Sequence, residues 1–458
     1  MDLSNLTGAG APKEEQKPVI EYTAQTASPL VKGEAKLVIT DKALTVKGLF
    51  DVAEIPFAEI NALSLEDFTV IVKTDSGNFL FSRMGNWCQP FHDALLDAYN
   101  NAVLRSLFVK ESPLVTAKGD YSYTEAGASA AGSAPVHVYE NSVVALPPDL
   151  GARRVPLCFT DGMDKGEFEL TLKLDTGESY TWARLGYDTV PFADAVEKQI
   201  RAQREKTLAA VMEIDPTLGM AQASQLARVV PRGAAAAFGT LAGIAPSFAA
   251  ALEAKIAATR AAGTYQVFKE LCEPAKIYAG FRKNEIVAGG AAVAVSPGGD
   301  AATGGAESSG DAAAGGAIGV GIAGDSAVND ALTPEAGDAG AGPAPDPYLL
   351  WLIVPSPDGR YAAVEFAEAD SATFVYKTGG DFDAFARMLN RSLEAIDFKR
   401  EVIRLSDEEL RKPENADYYM ASKRTAALRF IRSMFVDRVI HSSADAWKSK
   451  LTGLWSGV

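Results

Sequence analysis

Cysteine and histidine are scarce in this chain of 458 residues, which contains only three of each. Cys88, Cys158 and Cys272 are too few for a disulfide framework or a cysteine-rich zinc site. Three histidines likewise leave no material for an imidazole-rich metal centre. We therefore expect no bound metal and no cofactor, and thiols that stay reduced, as they do in the cytoplasm.

Long hydrophobic runs are also lacking. The most apolar stretch, residues 234–252, consists mainly of Ala and Gly and contains Pro246. It lacks the density of Leu, Ile and Val that a membrane-spanning helix needs. The first residues form neither a basic segment nor an apolar one, so no signal peptide is predicted. Together these absences predict a cytoplasmic location.

Positive charge is in deficit, with 44 Lys and Arg against 59 Asp and Glu. A net charge of −15 repels phosphate backbones, so no nucleic-acid partner is expected. Residues 289–346 carry eight acids, no Lys or Arg and no aromatic residue. This composition predicts a disordered acidic loop. The GxGxxG spelled by residues 319–324 follows no predicted strand, so it does not indicate a dinucleotide site.

Motifs of common enzyme families are missing as well. The sequence contains no Walker motif, no HExxH and no GxSxG. Cys88 and His92 stand four residues apart at the start of a predicted helix, where a thiolate could be activated. The repeat described next has no such pair in its second copy. The chain is therefore predicted not to be an enzyme, with an enzyme of unrecognised site as an alternative.

What the sequence does contain is an internal repeat with a period near 100 residues. Residues 31–100 match residues 131–200 at many positions, with one residue gained midway. A period of this length is the size of a domain, so the pattern predicts tandem copies of one domain. The matched positions include Ile55-Pro56 with Val155-Pro156, Lys73 with Lys173, Asp75 with Asp175, Arg83 with Arg184, Gly85 with Gly186, and Pro90-Phe91 with Pro191-Phe192.

Each copy is predicted to be a series of antiparallel strands closed by a helix. Residues 36–40 and 43–46 are short β-favouring runs around Asp41-Lys42, as in a hairpin. A second hairpin is predicted around Asp75-Ser76-Gly77, where glycine supplies positive φ. After Pro90 the apolar period changes from two to about 3.6, which predicts a helix beginning there.

The pattern resembles the bacterial pleckstrin-homology-like (PH-like) domains, relatives of the GRAM domain. The resemblance rests on the strand pair of residues 37–46, on Ile55-Pro56 and Ile60, and on the hairpin and Phe-led helix that follow. It implies a strongly bent antiparallel sandwich or partly open barrel with a helix plugging one end. The predicted fold class is therefore α+β, with tandem PH-like units, a helical insert and a helical tail.

Six segments are predicted from these patterns. A third, more divergent copy begins near Ala275-Lys276-Ile277-Tyr278. The segments are a disordered N-terminus (1–17), PH-like domain 1 (18–110), PH-like domain 2 (111–212), an Ala-rich helical insert (213–265), PH-like domain 3 (266–400) containing the acidic loop (289–346), and a helical C-terminal segment (401–458).

Two groups of basic residues are candidate binding sites for a partner or an anion. Some members of the PH superfold bind phosphoinositides through Lys and Arg on the first strand pair, and Lys36, Lys42 and Lys47 lie there in copy one. In the tail, an apolar stripe from Leu428 to Val439 accompanies basic residues. This stripe predicts either a packed helix with a solvated basic face or a docking helix. The basic tail residues are Lys423, Arg424, Arg429, Arg432 and Arg438.

The sequence thus predicts a non-catalytic intracellular interaction or scaffold protein. Its partners would be proteins, bound through strand edges, domain grooves or the tail. The alternative is a peripheral membrane adaptor that binds anionic lipid head groups through copy one and the basic tail. Association with vesicles containing anionic lipid would separate the two.

Overall fold

Hairpins with alternating apolar residues build the first sheet. The computed structural model describes residues 21–283, 348–367 and 372–457, and the structural statements below concern these residues. The seven strands lie in the order β4-β3-β2-β1-β7-β6-β5, and all pairs are antiparallel. The elements are β1 (Glu21–Ala27), β2 (Lys32–Ile39), β3 (Ala43–Lys47), β4 (Val52–Pro56), β5 (Ile60–Glu66), β6 (Thr69–Thr74), β7 (Gly77–Ser82) and the helix α1 (Cys88–Ser106).

The second sheet repeats this arrangement. Its strand order, β11-β10-β9-β8-β14-β13-β12, is that of the first sheet displaced by seven strands. The predicted α+β class of antiparallel sheets followed by helices is confirmed, and the two curled sheets are consistent with a PH-like arrangement. The elements are β8 (Val115–Glu125), β9 (Ala128–Val138), β10 (Ser142–Ala145), β11 (Arg153–Pro156), β12 (Thr160–Lys165), β13 (Glu169–Leu174), β14 (Ser179–Ala183) and α2 (Thr189–Ile214).

The two copies also share their irregularities. The register of β5 against β6 shifts between Ile60 and Ala62, and that of β12 against β13 shifts between Thr160 and Gly162. Such bulges bend a strand and increase its twist. Because they occupy the same place in both sheets, the sequence repeat is also a repeat of backbone geometry.

Each of the first two sheets encloses an apolar core, which the helix that follows the sheet covers. In the first copy Phe91, Leu95 and Tyr99 of α1 are buried among the inward-facing strand residues. In the second copy Phe192 and Val196 of α2 are buried in the same way. Burying one such side chain contributes about 1.5–3 kcal/mol. The helices therefore hold the bent sheets closed.

Ala-rich helices follow α2, as the sequence predicts. The predicted break at Pro246 coincides with the start of α5. Proline is tolerated in the first turn of a helix, because a backbone N–H at that position would have no partner within the helix. The helix preceding Pro231 ends at Val229. The elements of this insert are α3 (Met220–Val229), the short strand β15 (Ala236–Ala237), α4 (Phe238–Ile244), α5 (Pro246–Ala257) and α6 (Ala262–Leu271).

The third sheet differs in strand order from the first two. Its six strands run β15-β16-β17-β18-β19-β20, so each described strand neighbours the next one along the chain. The predicted disordered N-terminus (1–17) and acidic loop (289–346) lie outside the described residues. The remaining elements are β16 (Tyr278–Lys283), β17 (Tyr348–Pro355), β18 (Tyr361–Phe366), β19 (Ala372–Lys377), α7 (Phe382–Ala395), α8 (Glu401–Arg404), α9 (Asp407–Leu410), α10 (Ala416–Arg424), α11 (Ala426–Met434), β20 (Phe435–Ile440) and α12 (Ala444–Trp455).

The tail differs from the prediction in one element. The apolar stripe from Leu428 to Val439 does not lie on one helix, because α11 ends at Met434 and the chain continues as β20 against β19. Val436, Val439 and Ile440 are β-branched and suit a strand. Residues 21–282 and 350–457 belong to one compact unit, in which β20 forms an outer strand of the third sheet.

Candidate interaction surface

Three turns of the first sheet converge at one end of the domain. They are residues 28–31 between β1 and β2, residues 48–51 between β3 and β4, and residues 75–77, where β6 turns into β7. A Cβ atom added to Gly48 would lie 2.9 Å from Val31 Cγ1, and one added to Gly77 would lie 2.9 Å from Pro29 Cγ. Glycine at these positions therefore permits the close approach. We call residues 28–32, 47–52 and 75–77 the first turn cluster.

The first turn cluster exposes four large apolar side chains. Leu49 is 84% exposed and Phe50 is 91% exposed, while Leu30 is 60% and Val52 is 69% exposed. Scattered exposed apolar residues are ordinary, but several in two neighbouring turns are typical of a binding surface. Two exposed lysines, Lys32 at the start of β2 and Lys47 at the end of β3, border them.

The corresponding loop of the second sheet is a docking element. Residues 147–151 lie in the connection from β10 to β11, which corresponds to residues 48–51 between β3 and β4. The main-chain N–H of Leu63 in β5 donates to the Pro148 carbonyl at 2.7 Å, and Ala62 forms an antiparallel bridge with Asp149. The loop therefore pairs with the outer strand of the first sheet.

The turns around that loop are buried against another part of the chain. Arg153 Nε donates to Glu125 Oε2 at 2.7 Å, and Tyr180 donates its hydroxyl proton to Glu125 at 2.5 Å. Arg391 of α7 donates to Glu178 at 3.3 Å. All these carboxylates and Arg391 are buried. The turn end of the second sheet thus contacts both the first sheet and α7, whereas the same end of the first sheet exposes its apolar loop.

A second ion pair fixes the β11 strand to α7. Arg154 forms a two-pronged pair with Glu394, with nitrogen–oxygen distances of 2.7 and 3.0 Å. Arg232 and Arg391 lie 3.5 and 3.7 Å from the same carboxylate. Burial alone would raise the pKa of Glu394, but the three guanidinium groups overcome it and hold that pKa below its usual value. The carboxylate is therefore ionised and structural.

The basic residues predicted on the first strand pair are only partly brought together. Lys36 and Lys47 lie directly opposite each other on β2 and β3, and Lys36 pairs with Glu21 at 3.3 Å. Lys42 lies in the turn at the other end of β3. Lys36 therefore lies next to Lys47 of the first turn cluster, and Lys42 is about a strand's length away.

Two basic residues of the tail are engaged by the first domain. Lys423 Nζ lies 2.9 Å from Asp75 Oδ2 and 3.2 Å from the Ala58 carbonyl oxygen. Burial would raise the pKa of Asp75, but hydrogen bonds from Lys423 and Asn61 lower it below its usual value. Arg424 is 1% exposed and donates to the Tyr99 hydroxyl at 2.5 Å. α10 is thereby docked on the first domain.

The other three basic tail residues also make contacts within the chain. Arg429 donates to the Lys423 carbonyl at 2.6 Å, and burial lowers its pKa. Arg432 donates to Asp407 at 2.8 Å. Arg438 lies on β20, where its carbonyl accepts a hydrogen bond from Lys450 at 3.3 Å. The five tail residues therefore make separate contacts on α10, α11 and β20, and they do not form one basic helix face.

The second sheet bears a cleft, and the first helix begins with a buried cysteine. A cleft of about 320 Å³ on the second sheet is lined by Ser, Thr, Ala and Tyr side chains, with no acid, histidine or cysteine among them. Within residues 21–283, 348–367 and 372–457 no group of three His, Cys, Asp or Glu could hold a metal ion. No helix in those ranges is long and apolar enough to cross a membrane. Cys88 is buried, which raises the pKa of its thiol, and it donates to the Phe68 carbonyl at 3.2 Å.

The exposed loop was missed by the sequence reasoning, although a signal for it exists. Leu49 and Phe50 follow the predicted strand of residues 43–46 and come directly after Gly48, a residue that is typical of turns. Apolar residues at the tip of so short a hairpin have no core to enter. Nothing in the sequence indicates that residues 147–151 dock, because the Pro148 carbonyl accepts its hydrogen bond from Leu63, which is far away in the chain.

Comparisons with known proteins add little to this geometry. No family model matches the chain, and no curated protein matches it. Among solved structures, one described as the "Structure of the Spt16D Pob3N heterodimer" is similar at 12% sequence identity, over 35% of this chain and 86% of that chain. Its TM-score is 0.15, a level of likeness from which nothing is inferred about this chain.

Proposed function

We propose that this chain is a non-catalytic, cytoplasmic interaction protein built from PH-like modules, and that the first turn cluster binds the edge strand of a protein partner. One observation carries the proposal. The loop of residues 147–151 in the second copy docks on β5, an edge strand of the first copy, while its counterpart, residues 48–51, exposes Leu49 and Phe50. The two loops occupy equivalent places in equivalent sheets.

The chemistry of the partner follows from the surface. An edge strand has unpaired N–H and C=O groups, which a loop can pair with, as Pro148 does with Leu63. Apolar side chains beside that edge would cover Leu49 and Phe50. Acidic side chains would complement Lys32 and Lys47. The basic residues of the tail contribute less to this proposal, because they already make contacts inside the chain.

Site-specific photo-crosslinking in the native cell tests the proposal. A photoreactive amino acid at position 50 is expected to give discrete crosslinked products whose peptides map to an edge strand of a protein. The matched control carries the same amino acid at position 68, since Phe68 is 82% exposed in the same domain but lies in the turn between β5 and β6. Equal products at both positions, or none at position 50, would contradict the proposal.

A peripheral membrane adaptor is the second candidate, favoured by the lysines that border exposed apolar residues. Anionic lipid would attract Lys32 and Lys47 while Leu49 and Phe50 entered the interface. Flotation of the full chain with phosphatidylcholine vesicles, with and without phosphatidylserine, separates the candidates. We expect no lipid-dependent flotation even at low salt. Flotation that needs phosphatidylserine and is lost in Phe50→Ser would favour the membrane instead.

A further inference from the structure

We propose that the edge strand bound by the first turn cluster is β12 in a second copy of this chain, so that copies associate head to tail. This inference rests on the function proposed above and names its partner. The contact would repeat between molecules what the chain already makes within itself, where the loop after β10 docks on β5. The loop after β3 is the first copy's counterpart of that donor, and β12 is the second copy's counterpart of that acceptor.

β12 has the geometry that β5 uses to receive its loop. Both strands stand last in their sheets and are therefore edges. Leu63 faces Val72 across the first sheet, and Met163 faces Leu172 across the second, each just after the shared bulge. The N–H of Leu63 points outward to the docked loop. The same register directs the N–H of Met163 outward from β12.

The side chains of β12 are consistent with an unoccupied acceptor. Leu63 is buried beneath its loop, at 3% exposure, whereas Met163 is only half-buried. Asp161 and Asp164 are exposed on β12. These carboxylates complement Lys32 and Lys47, which border the exposed loop of the other copy. Asp164 already pairs with the exposed Lys173 at 2.9 Å, a surface contact that a second lysine can share.

The symmetry of this contact predicts how assemblies grow. Donor and acceptor are different surfaces of one chain, so the interface is heterologous and does not close after two copies unless the rotation forms a ring. A loop on a strand edge is a small interface, and small interfaces are typical of weak association. We therefore expect reversible assembly that increases with concentration and passes beyond the dimer.

Sedimentation velocity of the full chain over a range of concentrations tests the inference. The wild type is expected to shift from monomer toward dimers and larger species. Phe50→Ser removes the donor, and Met163→Pro removes the outward N–H, a change that edge strands tolerate. Each variant is expected to remain monomeric, while the control Phe68→Ser assembles like the wild type. If Met163→Pro unfolds β12, the double variant Asp161→Lys with Asp164→Lys is used in its place. This double variant is expected to weaken assembly.

Mixing the variants separates this geometry from a two-fold dimer. Phe50→Ser keeps β12 and Met163→Pro keeps the loop, so an equimolar mixture is expected to form a one-to-one dimer and to stop there. A wild type that is monomeric at every soluble concentration would overturn the inference. So would assembly that depends on Phe50 but not on β12. Photo-crosslinks from position 50 to another protein, with a monomeric wild type, would leave the proposed function standing and remove only the self-association.

Discussion

Two arginines at equivalent places adopt the left-handed backbone conformation. Arg83 has φ of 57° and Arg184 has φ of 55°, and in both copies a glycine with positive φ follows two residues later. The left-handed conformation crowds the Cβ atom, which glycine lacks. Both arginines lie between the last strand and the helix of their copy, so the strain is stored in the connection that turns the chain into the helix. Arg184 also pairs with Asp120 at 2.9 Å.

Replacing Arg83 by glycine should therefore stabilise the protein. Glycine adopts positive φ without the Cβ penalty, so Arg83→Gly is expected to raise the free energy of unfolding by about 1 kcal/mol. Arg184→Gly should gain less, because it also loses the contact with Asp120. Urea denaturation followed by tryptophan fluorescence measures both changes. Arg83→Ala keeps the crowded Cβ and serves as the control; a gain of equal size in that variant would refute the explanation by backbone strain.

Single residues also mark the limit of prediction from sequence. The turn glycines and the recurring Arg-x-Gly could be recognised because their causes are local. Arg424 was predicted as part of a binding surface but is buried against Tyr99, 325 residues away in the chain. Charge in a sequence does not show whether a partner far along the chain will bury it. Exposure of the predicted basic residues could therefore not be deduced from their spacing.

Among the elements, α10 shows how the tail holds the first domain. Its residues Met420 and Arg424 contact the core and helix α1 of that domain, and Lys423 reaches the first turn cluster at Asp75. Arg424 donates to Tyr99, whose hydroxyl also lies 3.4 Å from the Asp149 carbonyl. One hydroxyl thus joins α1, α10 and the loop of the second domain.

A double-mutant cycle of Arg424 and Tyr99 should reveal this link. Arg424→Met and Tyr99→Phe each remove one side of the hydrogen bond, and we expect a coupling free energy of about 0.5–3 kcal/mol in urea unfolding. Tyr99→Phe alone leaves a buried guanidinium short of an acceptor and is expected to cost about 1–3 kcal/mol. Lys42→Met, on an exposed turn, combined with Tyr99→Phe gives the matched cycle, for which no coupling is expected. Additivity in the Arg424 cycle would contradict the proposed link.

β20 shows that it is harder to predict whether a segment is a helix or a strand than to predict that it has regular structure. Leu428, Ile431, Phe435 and Val439 repeat at helical spacing, and the repeat is genuine as far as Met434. The following residues are equally compatible with a strand. Pairing with the edge of β19 decides between the two, and that edge is formed by residues more than 50 positions earlier. Local periodicity could not contain this information, whereas the hairpins of the first two sheets depend on neighbours in sequence and were predicted correctly.

At the scale of the whole molecule, the buried carboxylate of Glu394 connects three parts of the chain. It joins β11 through Arg154, the helical insert through Arg232, and its own helix α7 through Arg391. A buried ion group is costly to disrupt, since removing one member leaves the others without compensation. Glu394 thus fixes the second sheet to α7, whose apolar residues pack in the core of the third sheet.

Glu394→Gln is expected to destabilise the protein by about 3–5 kcal/mol at neutral pH. The folded-state pKa of Glu394 lies below the ordinary value of 4.5. The contribution of Glu394 to the free energy of unfolding is therefore fully present above pH 4.5, and it is lost as pH falls through the folded-state pKa. Thermal unfolding of the wild type and of Glu394→Gln, measured over a range of pH, should show a difference in Tm that becomes smaller in acid. Glu34→Gln, at an exposed position on β2, is the control. A difference that does not change with pH would exclude this linkage.

The core of the first sheet contains residues that are synthesised much later. Tyr139, Val144, Leu146 and Ala152 belong to it, and so does Met420. When the ribosome has just released α1, these side chains are still missing, and water can reach the core of the first sheet. The last of them, Met420, becomes available only after more than 300 further residues have been synthesised. During translation this domain should stay exposed to chaperones and proteases for longer than the domains that follow it, although it leaves the ribosome before them.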